Sequence, residues 1–268
     1  MMKYVLVTGG HGYIGRNIRD YLRREHIIDS LSVDKKRNTY TEDITDGYTF
    51  DGIVHLSAIS GIPQCEENKE QAYIDNIAAT LTVMRTAHEY KIPLVFASSQ
   101  AAKHPNNSFY AFSKWIGEQE AFRLNRKGAN IRVLRFSNVY GGMGWEEKTN
   151  VVAKFRQAME ADEPIIVNGE GLQKRDFIHV HDLCKAITLA LTYGTSLTNP
   201  KLMYPIDIGT GNMVSIIDVA KMFTDHHIEY DKESEWIGVM ENVADTTQAK
   251  ELLGFESSID ISSESIYL

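Results

Sequence analysis

Residues 4–15 read Tyr4-Val5-Leu6-Val7-Thr8-Gly9-Gly10-His11-Gly12-Tyr13-Ile14-Gly15, and the fold follows from how this stretch changes character. Met2 to Val7 is a short apolar strand with Lys-Tyr-Val-Leu-Val at its centre. It runs into glycines, and a helical pattern starts at Tyr13. A strand that ends in glycines and opens a helix is a phosphate-binding device. The glycines let the backbone turn tightly and approach a pyrophosphate, whose charge faces the helix N-terminus. The spacing is Gly-x-x-Gly-x-x-Gly (Gly9, Gly12, Gly15), distinct from the Gly-x-Gly-x-x-Gly of other dinucleotide folds. With 19 glycines in 268 residues such a triple arises by chance roughly 0.1 times per chain. The bland alternative is a glycine-rich turn with no ligand.

Asp34 supports the phosphate reading. It closes a second apolar stretch, Leu31-Ser32-Val33, nineteen residues beyond Gly15. A carboxylate there accepts hydrogen bonds from the ribose hydroxyls of NAD and repels the extra phosphate of NADP. Lys35, Lys36 and Arg37 follow at once and leave NADP open, since a basic residue can hold that phosphate.

Length and composition narrow the class. A chain of 268 residues makes one large domain or one and a half. A net charge of −8 argues against a broad nucleic-acid-binding face. No apolar run approaches membrane-spanning length, and the N-terminus enters a strand with no signal-peptide layout. Two cysteines, Cys65 and Cys184, make no disulfide framework, so a reducing, cytoplasmic setting is expected.

Further along, apolar strands alternate with helical patterns. Ile53-Val54-His55-Leu56 is a strand, and little room precedes it for a full crossover helix. A polar loop holding Pro63 and Cys65 leads to a helix over 70–90, with Ile74, Ile77, Leu81 and Met84 at helical spacing. Leu94-Val95-Phe96-Ala97 is the fourth strand, a helix spans 110–127, and 131–136 is the fifth strand. This alternation predicts an α/β fold, a doubly wound parallel sheet of Rossmann type. Residues 175–180 read as another strand, with His181-Asp182 capping a helix to Leu191, and 205–209 as a sixth parallel strand. The expected division is a dinucleotide-binding domain over 1–140, joined again by about 176–209. A smaller, partly discontinuous substrate domain takes 141–175 and 210–268. The tail from Glu256 is weakly patterned and expected to fray or dock loosely.

In an open parallel sheet ligands sit beyond the carboxyl ends of the strands. Gly9 to Gly15, Asp34, Leu56-Ser57 and Ser98-Ser99 all lie at such ends. Tyr110 and Lys114 are four apart on a predicted helix and share a face. A lysine ammonium beside a phenol favours the phenolate, and an oxidised nicotinamide acts in the same direction. A tyrosine so tuned takes a proton from a sugar hydroxyl as hydride leaves the same carbon. Ser99 could hydrogen-bond the oxygen as it becomes a carbonyl. With 13 tyrosines and 16 lysines, about 0.8 Tyr-x-x-x-Lys matches are expected by chance, so position carries the case. The alternative is a surface Tyr-Lys pair.

The chain resembles an extended short-chain dehydrogenase/reductase of the NAD-dependent nucleotide-sugar epimerase/dehydratase family, and the resemblance covers nearly its whole length. Thr8-Gly9-x-x-Gly12-x-x-Gly15 resembles the family's nucleotide fingerprint, which implies cofactor contacts from Gly9, Gly12, Tyr13, Ile14 and Gly15. Asp43-Ile44 resembles its adenine-side pair, Val54 to Ala58 the segment along the cofactor, and Asn76 its helix asparagine. Ser99, Tyr110 and Lys114 fall on its Ser-Tyr-Lys triad, whose lysine also binds the nicotinamide ribose. Leu134 to Gly141 resembles the segment with a substrate-contacting asparagine, here Asn138. Gly169-Glu170-Gly171-x-Gln173-x-Arg175-Asp176-Phe177 resembles the stretch whose arginine meets the substrate diphosphate. An arginine fork binds two phosphate oxygens at once; the alternative for Arg175 is a partner for Asp176.

The resemblance implies NAD as cofactor, a nucleoside-diphosphate sugar as substrate, and epimerisation, with C4 the expected centre. It also implies a homodimer through a four-helix bundle built from helices near 70–90 and 108–127. Ser99 is followed by Gln100 and not by the Asp-Glu pair of sugar 4,6-dehydratases, which disfavours dehydration. The Ser99–Tyr110 loop is shorter than the family's. A one-way keto-sugar reductase using the same residues, or a non-catalytic dinucleotide sensor, are the rival readings. Nine histidines lack companions at metal-like spacing, so no metal site is expected. Trp145 reads as a lid or core residue, and Cys65 as a bystander.

Overall fold

The computed structural model describes residues 4–25, 29–33, 49–144, 150–192, 200–223, 227–233, 239–262 and 264–267. Asp34, Asp43, Ile44, Trp145 and most of the interval between the second and third strands lie outside the described residues.

In order, the first half comprises β1 (Tyr4–Thr8), α1 (Tyr13–Arg24), β2 (Asp29–Val33), β3 (Gly52–His55), α2 (Ile62–Glu67), α3 (Lys69–Ala72), a π-helical segment (Tyr73–Ala78), α4 (Ala79–Glu89), β4 (Leu94–Ser99), α5 (Phe109–Asn125) and β5 (Ile131–Phe136). There follow β6 (Asn138–Tyr140), α6 (Val151–Glu160), β7 (Ile165–Asn168), β8 (Lys174–Arg175), β9 (Phe177–His179), α7 (Val180–Thr192) and β10 (Ile206–Ile208). The chain closes with β11 (Val214–Ser215), α8 (Ile216–Met222), β12 (Ile228–Asp231), β13 (Glu241–Asn242) and α9 (Thr247–Leu253).

Six strands form one sheet in the order β10-β5-β4-β3-β1-β2, and every pairing is parallel. The reason is written in the strands. Successive residues face opposite sides, and both sides are covered, so the central strands β1, β3, β4 and β5 are buried along almost their whole length. Val5 and Val7 point into one core with Ile18, Leu22, Leu183 and Ile187. Leu6, Ile53, Phe96 and Val133 point into the other with Val83, Met84 and Leu124. A third cluster, with Tyr140, Phe155, Ile165, Phe177, Ile217 and Phe223, makes the smaller unit beside the sheet.

Several local expectations change. The loop with Pro63 and Cys65 is helical: Pro63 sits in the first turn of α2, where its missing N–H leaves no intrahelical bond unmade. The helix expected over 70–90 is interrupted by the π-helical segment, which turns Asp75, Asn76 and Ile77 inward together. The strand expected over 175–180 breaks at Asp176, whose buried carboxylate accepts from Thr210 N, Thr210 Oγ1, Gly211 N and Ala244 N at 2.9, 2.9, 3.0 and 3.2 Å.

Asp182 does not cap α7, which already begins at Val180. Its buried carboxylate instead accepts from Ser258 N, Ser258 Oγ and Ile259 N at 2.7–2.8 Å. The tail is therefore docked and not frayed. Phe255 packs in the main core with α9, Ile266 packs in the smaller one, and Ser265 Oγ meets the Tyr140 hydroxyl at 3.1 Å. The residues after 210 thus contribute to both cores. Too few apolar residues anchor the tail for a periodic signal, and a carboxylate 76 residues away supplies the rest.

Replacing Asp182 with Ala leaves three donors of the tail without their acceptor. Denaturant unfolding should show a loss of about 2–4 kcal/mol, with early proteolytic release of the residues after 256.

Candidate active site

The parallel sheet brings all its carboxyl ends to one edge, and the chain leaves β1 for opposite sides at β2 and β3. Ligands seat at such a switch point. There Gly9 has φ +70°, and a Cβ on it would lie 2.9 Å from Ser57 N. A Cβ on Gly15 would overlap the Gly9 carbonyl oxygen. The two glycines therefore let the turn close against Leu56-Ser57 and against the start of α1. Gly12 caps α1 without a side-chain acceptor, and the first turn carries no acidic residue. Nothing on this helix end offsets its positive dipole, while Arg16 Nε holds the His11 carbonyl at 2.8 Å. The cradle fits a dinucleotide pyrophosphate.

Tyr13 and Ile14 enter differently from the expectation. The Tyr13 ring is buried in the main core and its hydroxyl donates to the Gly141 carbonyl at 2.5 Å; Ile14 packs on the same core. Only their backbone is left to face a phosphate. Asn76, expected on the cofactor, is buried, with Oδ1 accepting from Ile59 N at 2.7 Å and Nδ2 donating to Ile59 O at 3.0 Å. It anchors the loop after β3.

Between β1 and β3 lies a residue that sequence reasoning passed over. His55 is enclosed, with Nδ1 2.6 Å from Thr8 Oγ1 and Nε2 2.9 Å from Thr80 Oγ1. Burial, then the Lys114 charge, push its pKa down to about 3. A neutral imidazole bridges the strand that ends at the glycines to α4.

Ser99, Tyr110, Asn138 and Arg175 come together on one cleft of about 1080 Å³ between the sheet edge and the smaller unit. Ser99 ends β4 and caps the next turn, its Oγ accepting from Ala101 N at 3.2 Å. Ser99 is also hydrogen-bonded to the Tyr110 phenol. Tyr110 lies in the first turn of α5, where Ser108 Oγ accepts from Ala111 N at 3.1 Å. Glu66 of α2 reaches the same helix start, Oε1 accepting from Phe109 N at 2.6 Å, and this bond holds its carboxyl below the usual range.

Lys114 is one turn on, buried, but it does not touch the phenol. Its Nζ donates to the Ala97 carbonyl at 2.8 Å and stands 6.0 Å from the centre of the Tyr110 ring. Burial pushes its pKa down to about 8. Burial likewise raises the phenol of Tyr110, and the Ser99 hydrogen bond opposes it. Desolvation thus opposes charge on the phenol, and the ammonium is directed at a carbonyl.

Arg175 is not a partner for Asp176. Its guanidinium is held by carbonyls, Nη1 to Lys174 and Met240 at 2.6 and 3.1 Å and Nη2 to Val239 at 2.9 Å. Asn138 Nδ2 donates to the Asp176 carbonyl at 3.2 Å beside it. Cys65 is buried with Sγ against the Ile59 carbonyl at 3.5 Å and does not line the cleft. His179 and His181 fall in different elements. Among the described residues no three His, Cys, Asp or Glu side chains are grouped to hold a metal ion.

The NAD dependent epimerase/dehydratase family profile matches residues 5–206. The chain belongs to that family. A provisionally named UDP-glucose 4-epimerase of Methanocaldococcus jannaschii is 29% identical over 297 residues, covering 96% of this chain and 94% of that one. Among solved structures, UDP-glucose 4-epimerase of Thermotoga maritima with UDP-glucose superposes with a TM-score of 0.87 at 22% identity, covering 98% and 96% of the two chains. UDP-glucuronic acid 4-epimerase of Bacillus cereus, in complex with UDP-glucuronic acid and NAD, gives 0.85 at 18%, covering 98% and 96%. At these identities the structural likeness is one of fold. As expected of the family, the sheet is the parallel, Rossmann-type one.

The buried His55 has a pH signature. Its neutral form is favoured in the fold while the unfolded chain takes a proton near 6.5, so its contribution is complete above 6.5 and lost as pH falls toward 3. Unfolding free energy should drop by roughly 3 kcal/mol between pH 6.5 and about pH 4 from this group. His55→Gln should flatten that part of the stability–pH curve.

Proposed function

We propose that this family member is an NAD-dependent epimerase of a nucleoside-diphosphate sugar, acting at C4 through a transient 4-keto sugar. The observation that carries the reading is the meeting of the Ser99 hydroxyl and the Tyr110 phenol on a cleft whose other wall presents Arg175. When bound, NAD supplies the reversible hydride acceptor and, oxidised, a positive charge. Gly9, Gly12 and Gly15, with the backbone of Tyr13 and Ile14, would hold its pyrophosphate. Leu56 and Ser57 would lie along it, Asp34 would take the adenosine ribose, and Asp43 and Ile44 would meet the adenine.

The chain's own residues divide the remaining work. Arg175 and Asn138 seat the diphosphate and sugar. Tyr110 takes the C4 hydroxyl proton once its phenolate is favoured, and Ser99 donates to the oxygen as it becomes a carbonyl. Lys114 lies near enough to bind the nicotinamide ribose and to add charge to the site. Returning the proton from Tyr110 to the sugar oxygen closes the cycle, so the cofactor is regenerated in place.

The working form is a homodimer in the reducing cytoplasm, a reading supported by two buried, unpaired cysteines and by the outward side of α4 and α5. No helix among the described residues is long and apolar enough to cross a membrane. Tyr73, in the π-helical segment before α4, and Phe112 of α5 are exposed. Light scattering at micromolar concentration should give twice the 30.3 kDa of one chain.

Tyr110→Phe should lower turnover of the accepted UDP-, GDP- or dTDP-sugar by about 10³-fold while NAD affinity is unchanged. Product NMR over such a panel identifies the sugar. Exchange of bound NAD for free NADPH with one-way reduction of a keto-sugar would select the reductase reading.

A further inference from the structure

The turn that follows Ser99 is fastened at both ends. Gln100 Nε2 donates to the Arg135 carbonyl at 3.2 Å. Lys103 Nζ reaches Asp207 Oδ2 at 2.5 Å and the Val243 carbonyl at 3.5 Å. Asp207 is buried on β10, and the same Oδ2 accepts from Asp245 N at 3.1 Å. A buried carboxylate requires such partners, and a lysine ammonium can serve acceptors from two separate segments.

Residues 239–245 therefore meet Lys103 at Val243 and, through Asp207, at Asp245. A few residues earlier the same segment supplies the Val239 and Met240 carbonyls that hold the Arg175 guanidinium. Between the two, Ala244 N is pinned to Asp176 at 3.2 Å. One short stretch thus touches the arginine at one wall of the cleft and the lysine behind the serine at the other. Lys103 itself does not line the cleft.

We propose that Lys103 is a positioning residue: its bridge to Asp207 and Val243 ties the turn after Ser99 to the segment that holds Arg175. Gripping the substrate diphosphate thereby seats the serine hydroxyl. The proposal rests on the roles given above to Arg175 and Ser99. When the diphosphate engages Arg175, residues 239–245 are held in place, and Lys103 passes that constraint to the turn whose Ala101 N–H sits on Ser99 Oγ. The chemistry remains with Tyr110 and Ser99.

The test is amide hydrogen exchange on the full chain, with and without saturating UDP, alongside turnover. In the wild type, UDP should slow exchange over residues 100–107 and 239–245 by about fivefold or more. In Lys103→Met the slowing at 239–245 should remain and that at 100–107 disappear. Its kcat should fall about tenfold while KM and NAD affinity move by less than about twofold. Lys103→Arg should restore both readouts. Equal protection of 100–107 in wild type and Lys103→Met, or an unchanged kcat, overturns the proposal and leaves the epimerase reading standing. If none of UDP, GDP and dTDP binds the wild type by calorimetry or protects any segment, the reading of the cleft fails and the proposal falls with it.

Discussion

A buried fork between Glu118 and Arg135 holds the helix that carries Tyr110 and Lys114 against the sheet. Arg135 Nε and Nη2 meet the two carboxylate oxygens at 2.8 and 2.6 Å, and Ser98 Oγ donates to Oε1 at 2.6 Å. Taking such a pair out of water is costly, and it is tolerated only where both oxygens are fully engaged, as here. Arg135 lies in register with Asp207, which in turn binds Lys103. Charges therefore alternate from α5 across two strands to the turn after Ser99. Tyr110, Ser99 and the wall with Arg175 share one polar frame.

Within that frame burial opposes charge on Tyr110, the Ser99 hydrogen bond favours it, and the Lys114 ammonium is directed at the Ala97 carbonyl. On the mechanism proposed above, the positive charge that favours the phenolate would come with the cofactor, and the same burial would strengthen each electrostatic interaction once the cleft is filled. The glycine cradle makes the matching contribution, since its close turn and uncompensated helix end suit a pyrophosphate.

Much of this was legible in order along the chain. Short apolar strands alternating with helices imply a parallel sheet, because only strands covered on both faces are apolar throughout. Gly15 was legible because the space it leaves is set by Gly9 and Gly10 a few residues away, whereas Gly9 closes against Leu56-Ser57 from the neighbouring strand's end. Tyr110 and Lys114 were legible as a pair on one helical face. The bonds from Asn76 to Ile59 were not legible, since Ile59 belongs to a loop with no regular pattern. The same holds for Asp182 and the tail, and for Asp176, which was read beside Arg175 when its donors lie 34 to 68 residues on.

The sequence by itself determined the sheet, the glycine turn between β1 and α1 and the shared helix of Tyr110 and Lys114, because periodicity and spacing act over a few residues and are carried by residue type. Only the tertiary structure decided which polar groups meet: His55 between Thr8 and Thr80, Lys103 on Asp207, Lys114 on Ala97. Each of those contacts is between groups brought together by packing. A buried polar atom takes whichever partner the surrounding fold leaves within reach, and no local pattern encodes that choice.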